Sequence, residues 1–206
     1  EKSKMWYLKA AELGNAEAQN KLGVLYADIE NDYKEAIKWY KKAMEQDNPW
    51  AYRNLGICYR EGNGVKKDLK KAEELFSKAS ELGIEDAIDI KEDMISFQED
   101  EDINMANSLL DEGKQKEAVA IYKELAKKGN ARAQGNYGNC LLNAWGVKQN
   151  LKEGIVWLEK SANQDNEWAC LRLAEAYLGW DYRGKSLQYD AEKAKECLSK
   201  ALSLGA

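Results

Sequence analysis

A pattern that occurs four times limits the fold of this 206-residue chain more than any other feature. In each copy an Asn follows Gly or Asp, an Ala stands three positions later, and a large, a small and another large residue follow at positions seven, eight and eleven. These offsets lie on one side of a helix of 3.6 residues per turn. Asn is a favoured helix N-cap, and the single proline, Pro49, takes a first helical position. The capping residues are Asn15, Asn48, Asn130 and Asn166.

A second helical pattern follows each copy. A small residue is followed three and four positions later by two bulky residues, and then by a small residue, as in Ala36, Trp39, Tyr40 and Ala43. Neither helix buries its apolar stripe alone, so neighbouring pairs must stack. We therefore expect an all-α fold, a right-handed α/α superhelical solenoid of about five helix-turn-helix repeats. The expected N-terminal half, 1–98, comprises a helix tail (1–14), repeats 15–47 and 48–84, and an irregular helix (85–98); the C-terminal half, 99–206, comprises repeats 99–129, 130–165 and 166–206.

The repeats resemble those of the Sel1-like repeat family, which is related to the tetratricopeptide repeats. The resemblance is carried by Leu55-Gly56-x-x-Tyr59 with Gly62-Asn63-Gly64-Val65, and again by Trp145-Gly146-Val147. It covers nearly the whole chain except about 85–104. It implies a bacterial protein of the kind that assembles signalling, secretion-linked or quality-control complexes. The chain departs from the family pattern in the short loop 27–32, in the long loop 179–184 that contains Trp180, and in lacking the regular cysteine pairs of one bacterial branch.

The segment 85–104 is acidic and breaks the repeat. Ala87, Ile90, Met94 and Phe97 recur at helical spacing, which predicts that at least its first half is a helix with a buried side. The run of four acidic residues at 99–102 has three interpretations: a solvated helix face, a turn between helices, or a site for cations or basic peptides. Calcium is disfavoured because no loop glycine or twelve-residue ligand spacing accompanies the acids.

Composition argues against most catalytic and nucleic-acid functions. The chain has no histidine, so it lacks the usual general base, and it has no phosphate-binding loop. Its net charge of −5 disfavours nucleic acid, and no apolar run is long enough for a membrane span. We therefore expect no enzyme activity, cofactor or metal. The number of cysteines leaves disulfides open, although the helical positions of Cys58, Cys140, Cys170 and Cys197 favour free thiols.

The first helices carry the candidate binding residues. Their positions opposite the buried stripe are rich in Trp, Arg and Asn; Trp and Arg dominate binding hot spots, and Asn pairs with peptide backbone. We predict a scaffold whose concave groove binds a peptide or partner-protein segment; the alternative is an adaptor that uses its convex face or repeat ends. Trp50 and Trp168 are interpreted either as ligand contacts or as packing on the neighbouring repeat, whereas Trp6, Trp39 and Trp157 are interpreted as core. The predicted binding residues are Trp50, Arg53, Ile57, Arg60, Arg132, Asn136, Asn139, Trp168 and Arg172.

The sequence leaves the cellular setting open. It does not begin with Met, so we expect a trimmed N-terminus, and we favour the cytoplasm over the periplasm or secretion. The oligomeric state is not indicated by any pattern in the chain.

Overall fold

The computed structural model describes residues 2–179 and 189–205. These residues form eleven α-helices and no strand, as the repeat pattern predicts. The chain divides into two compact units, unit 1 (Glu1–Phe97) and unit 2 (Gln98–Ala206). The helices are α1 (Lys2–Glu12), α2 (Ala16–Asp28), α3 (Tyr33–Met44), α4 (Pro49–Glu61), α5 (Leu69–Glu81), α6 (Asp86–Asp111), α7 (Gln115–Lys128), α8 (Ala131–Asn143), α9 (Leu151–Ala162), α10 (Glu167–Tyr177) and α11 (Ala191–Leu204).

The four Asn residues cap the first helices of their repeats. In each case the side-chain Oδ1 accepts the main-chain N–H three residues later, at distances from 2.8 Å for Asn15 to 3.1 Å for Asn48. These bonds satisfy one of the N–H groups that the start of a helix leaves without a partner. The capping role predicted from the sequence is confirmed.

The helices pack as consecutive pairs. In unit 1, α2 packs on α3 and α4 on α5; in unit 2, α8 packs on α9 and α10 on α11. The small residue at position eight of the first helix lets the bulky residue of the second helix approach its backbone. A Cβ added to Gly56, for example, would lie 2.7 Å from the Phe76 ring, which is fully buried. The predicted all-α repeat fold is confirmed.

The loop between the two helices of a pair packs on the preceding pair. Gly64 has a φ of +71°, and a Cβ there would lie 2.7 Å from Cβ of Tyr33, the first residue of α3. Gly146 occupies the same place in unit 2, with a φ of +65° and an added Cβ 2.4 Å from the Gln115 carbonyl oxygen. Both the left-handed backbone and the lack of space require glycine.

The helix α6 is longer than the sequence indicates. It runs without interruption through 99–102, so the interpretation of that acidic run as a turn is wrong. The expectation that Phe97 is buried is also wrong, since it is 65% exposed. Ala87 and Met94 bury the first half of α6 against α5, with Ile90 and Ile95 beside them, and Phe97 lies outside this cluster.

The tryptophans divide differently from the prediction. Trp39 is buried, and Trp157 packs edge-on against Tyr137 with ring centroids 5.6 Å apart. Trp6 is 65% exposed, so its assignment to the core is wrong. Its helix α1 contacts the core through Leu8, Ala10 and Ala11 instead, and the Trp6 ring lies under the Lys9 ammonium group. The predicted long loop after Gly179, including Trp180, lies outside the described residues.

Candidate partner-binding surface

In unit 1 the first helices α2 and α4 lie side by side and enclose a cleft of about 520 Å³. The exposed ring of Trp50 borders this cleft, and Asn54 Nδ2 donates to Asn20 Oδ1 across it at 3.0 Å. We call this surface of α2 and α4 the unit 1 face. Its lining residues are Glu17, Asn20, Lys21, Val24, Asn48, Trp50 and Asn54.

Arg53 is held in one orientation beside the cleft. Its Nε and Nη2 atoms donate to both carboxylate oxygens of Asp86 at 2.7 to 3.0 Å, a bidentate arrangement. Its guanidinium carbon lies 6.0 Å from the centroid of the Trp50 ring, at the limit of a cation–π contact. Trp50 and Arg53 therefore lie together, and the charge of Arg53 is already balanced by Asp86.

The other two predicted residues of α4 are less available. Ile57 is half-buried and packs against the cluster around Phe76. Arg60 pairs with the adjacent Glu61, with Nε and Oε1 2.7 Å apart. The structure therefore places Ile57 partly in the core and Arg60 at the C-terminal end of the helix.

In unit 2 the helices α8 and α10 present the corresponding surface, which we call the unit 2 face. Trp168 packs on α8 at Gly135, where an added Cβ would lie 3.4 Å from the ring. The ring is 38% exposed, and the guanidinium carbon of Arg172 lies 5.6 Å from its centroid. Arg172 in turn pairs with Glu175 at 2.9 Å. The Trp168 ring therefore packs on the neighbouring repeat and keeps an exposed edge, and its role as a ligand contact stays a prediction.

Trp50 is more exposed than Trp168, and the residue on the preceding first helix differs between the two repeats. The residue on the preceding first helix is Gly135 for Trp168, but Asn20 at the same offset for Trp50. Asn20 and Trp50 both line the cleft, and 50% of Trp50 is exposed.

The three predicted residues of α8 share one side of the helix but differ in their partners. Arg132 pairs with Asp100 of α6, with Nη1 and Oδ1 2.5 Å apart. Asn139 accepts the side-chain amide of Asn143 at 3.0 Å, and Asn136 is half-buried between them. Each predicted arginine of both faces thus has a carboxylate partner within the chain.

Sequence reasoning missed these carboxylate partners. Asp86 follows Arg53 by 33 residues and Asp100 precedes Arg132 by 32, which is about one repeat. An acidic residue about one repeat length away from each of these two arginines is the sequence signal that could have identified the partners. The same spacing rule relates Asn20 to Asn54, 34 residues apart.

A second missed feature is a buried glutamine at position four of the first helix. Gln19 and Gln134 each donate to a carbonyl oxygen eight residues earlier, at the end of the preceding helix, at 3.1 and 3.2 Å. Each side-chain oxygen also accepts from a glutamine of the next junction, Gln46 or Gln164. These bonds fix adjacent repeats to each other and so set the spacing of the first helices.

The described residues offer little for chemistry. Burial raises the pKa of the Cys58 thiol to about 11 and that of Cys140 to about 12, so both are protonated near neutral pH. In residues 2–179 and 189–205, no three metal-binding side chains lie together, and no helix there is long and apolar enough to span a membrane. The Trp, Arg and Asn side chains of the first helices remain the candidate site for contact with another macromolecule.

Comparison with known proteins identifies the repeat. The sequence model of the Sel1 repeat matches residues 1–15, 16–48, 51–84, 131–166 and 169–205, which is more than half of the chain. The chain belongs to the Sel1 repeat family. Sel1 repeat proteins generally mediate protein–protein interaction, and they are generally non-catalytic scaffolds.

Solved Sel1 repeat structures resemble this one. A protective antigen of uropathogenic Escherichia coli strains that displays this fold is 26% identical, with a TM-score of 0.51, over 98% of this chain and 49% of the antigen. The Sel1 repeat chain therefore spans about half the length of that protein. A Sel1 repeat protein from Oxalobacter formigenes is 29% identical, with a TM-score of 0.43, over 96% of this chain and 75% of its own. The search of curated proteins found no match.

Proposed function

We propose that this protein is a scaffold that holds an extended segment of a partner protein along the first helices of its repeats, the surface that the sequence predicts to be concave. The observation that carries the proposal is the unit 1 face, where the half-exposed Trp50 ring borders a cleft of about 520 Å³. Tryptophan is among the side chains that provide most of the binding energy where a partner covers them.

The polar groups of the unit 1 face suit a peptide backbone. The amides of Asn20 and Asn54 are joined by one hydrogen bond, which leaves Asn54 Oδ1 as an acceptor toward the cleft side of α4. An amide offers both a donor and an acceptor, which is what the N–H and C=O groups of an extended segment require. The bidentate pair of Arg53 with Asp86 holds the Trp50 side of the cleft in place and lowers the entropic cost of binding.

Substitution of the aromatic anchor tests this proposal. Trp50→Ala removes a half-exposed ring, so we expect the fold to be retained while the affinity for a captured partner falls about tenfold or more. Lys38→Ala, on the exposed side of α3, is the matched control and leaves the affinity unchanged. Partners are captured from the native organism's extract with tagged protein and quantified by mass spectrometry. Equal capture by Trp50→Ala and the unsubstituted protein, with equal thermal stability, contradicts the proposal.

Arg53 requires a compensated substitution. Arg53→Glu alone places two carboxylates side by side with Asp86, and this repulsion lowers stability as well as affinity. The double variant Arg53→Asp with Asp86→Arg restores an ion pair while moving the cation away from Trp50. We expect this variant to unfold at nearly the same temperature as the unsubstituted protein but to bind the partner more weakly.

A further inference from the structure

A pocket of about 380 Å³ lies in unit 2 among α9, α10 and α11, away from the side chains that define the unit 2 face. Its floor is formed by Ala162, Cys170 and Leu173, which are buried, and by Cys197, which is half-buried. Tyr177 stands at its edge. We call it the α9–α11 pocket.

The corresponding place in unit 1 is filled by side chains. Residues of the two units can be matched by counting from their helix caps, Asn48 with Asn166 and Asp68 with Asp190. The matched lysines confirm this register, because Lys71 lies over the Tyr59 ring and Lys193 over the Tyr177 ring. At three matched positions a large residue of unit 1 is replaced by a small one in unit 2: Met44 by Ala162, Tyr52 by Cys170, and Leu75 by Cys197.

In unit 2 the hydrogen bonds of the Tyr52 hydroxyl are replaced by those of another side chain, whereas the Tyr52 ring is not replaced. The Tyr52 hydroxyl lies within hydrogen-bonding distance of a main-chain carbonyl oxygen at 3.4 Å and of Asp47 Oδ1 at 3.3 Å. In unit 2 the matched acceptors are the Ala162 carbonyl oxygen and the Asp165 carboxylate, and Lys200 Nζ bonds to both, 3.0 Å from Asp165. The acceptors are therefore satisfied from α11, and the volume of the ring becomes the α9–α11 pocket.

Three of the four charged side chains that line the pocket are engaged within the chain, and the fourth, Glu196, is exposed on α11. Glu159 accepts the Tyr177 hydroxyl at 2.8 Å, and the Lys193 ammonium group lies 5.2 Å from the centroid of the same ring. Lys200 is paired with Asp165. Because Glu159, Lys193 and Lys200 already have partners and Glu196 is exposed to solvent, a charged occupant gains little, while an apolar one covers the buried floor.

We propose that the α9–α11 pocket anchors an uncharged aromatic side chain of a partner polypeptide, in the position that the Tyr52 ring takes in unit 1. The pocket is too small for a folded element but large enough for one ring, and aromatic side chains bury a large area with few rotatable bonds. Burial also raises the pKa of the Cys170 and Cys197 thiols, so the sulfur atoms of the floor are neutral at physiological pH.

N-acetylphenylalanine amide is a suitable probe, and its binding to the full chain is followed by two-dimensional amide NMR. We expect saturable shifts at the amides of Cys170, Leu173 and Cys197, and no saturable shifts there with N-acetyllysine amide. Cys170→Tyr restores the residue of unit 1 and fills the pocket, so the affinity for the probe falls about tenfold or more. The absence of saturable shifts at these amides, or an unchanged affinity in Cys170→Tyr, overturns the proposal.

Two further variants keep the test decisive. Cys197→Leu places the matched residue of unit 1 on the opposite wall, and it serves in place of Cys170→Tyr if that variant does not fold. Cys197→Leu must also lower the affinity for the probe if the proposal is to stand. Lys195→Gln is the matched control, because Lys195 is exposed on α11 and does not line the pocket. A loss of affinity in Lys195→Gln equal to that in the filled variants also overturns the proposal.

Discussion

The contact between α8 and α9 is a sensitive point of the fold. The two helices meet backbone to backbone, because a Cβ added to Gly138 would lie 2.8 Å from the Gly154 carbonyl oxygen and 3.0 Å from Leu158 Cγ. Gly138→Ala therefore forces the helices apart. Since α8 also carries Arg132, the substitution displaces part of the unit 2 face.

The cost of Gly138→Ala follows from two opposing effects. Overpacking a closely packed core costs about 1–3 kcal/mol, and the upper end applies because a carbonyl oxygen in a helix has no rotamer by which to move away. Replacing Gly by Ala inside a helix returns about 1 kcal/mol. We expect a net loss of about 2 kcal/mol in the free energy of unfolding, which lowers Tm by about 4–8 °C for a protein of this size.

Urea unfolding followed by circular dichroism measures this loss, and Gly135→Ala on the same helix is the control. The atoms nearest to an added Cβ at Gly135 are the Ser161 hydroxyl oxygen at 3.1 Å and the edge of the Trp168 ring at 3.4 Å. Its cost is small and is offset by the gain in helix propensity, so we expect it to lie within about 1 kcal/mol of the unsubstituted protein. The reasoning is refuted if Gly138→Ala is as stable as the unsubstituted protein, or if the two variants are equally destabilised.

Three other predictions concern stability and reactivity. Asn130→Ala removes both a helix cap and the 2.7 Å hydrogen bond to Glu99, whereas Asn166→Ala removes only a cap, which is worth about 1 kcal/mol. The urea midpoint of Asn130→Ala should therefore fall further than that of Asn166→Ala. Equal falls of the two midpoints contradict this. Burial raises the pKa of Tyr122 from 10.0 to about 12, and because the unfolded tyrosine ionises first, stability should decline as the pH rises through this range. Urea unfolding at pH 9 and pH 11 should show a smaller decline for Tyr122→Phe than for the unsubstituted protein, and an identical decline argues against this assignment. Ellman's reagent at pH 8 should modify the half-buried Cys197 before the buried Cys140, whose pKa burial raises to about 12; the reverse order contradicts the burial described.

The repeated part of the fold was predictable because each local signal is reinforced by its copies. A single Asn before a helix is weak evidence, but Asn48 followed by Pro49 at the same offset as three other Asn residues is strong, and the structure confirms all four caps. Helix periodicity and the small residues at close approaches depend on local geometry alone, so the chain reveals them without any knowledge of distant contacts.

Phe97 and Trp6 were misassigned because helical periodicity identifies the apolar side of a helix but does not show how much of that side a neighbouring helix covers. Phe97 continues the apolar spacing of α6, yet the cluster around Phe76 ends at Ile95, and the ring remains exposed. Trp6 lies at the matched position of Trp39, which is covered by α1 and α2 residues, but α1 contacts the core through Leu8, Ala10 and Ala11. Burial at such positions depends on tertiary neighbours rather than on the helix itself.

The sequence predicted which residue types lie on the candidate binding surface, but it did not predict which side chains surround them. The pairing of Trp50 with Arg53 follows from positions that share a helix face, and the structure brings these two together. The neutralisation of the arginines by Asp86 and Asp100 depends on contacts between elements about one repeat apart, which helix offsets alone do not include.

The most direct test of the proposed scaffold is site-specific photocrosslinking to its partner. Benzoylphenylalanine is placed either at Asn54, on the unit 1 face, or at Lys38 or Glu74, which are exposed on the second helices α3 and α5. The proposal predicts that irradiation of the complex gives the crosslinked product from Asn54 and little from the two second-helix positions. Crosslinking mainly from Lys38 or Glu74, with none from Asn54, would show that the partner binds the second helices and would contradict the central claim.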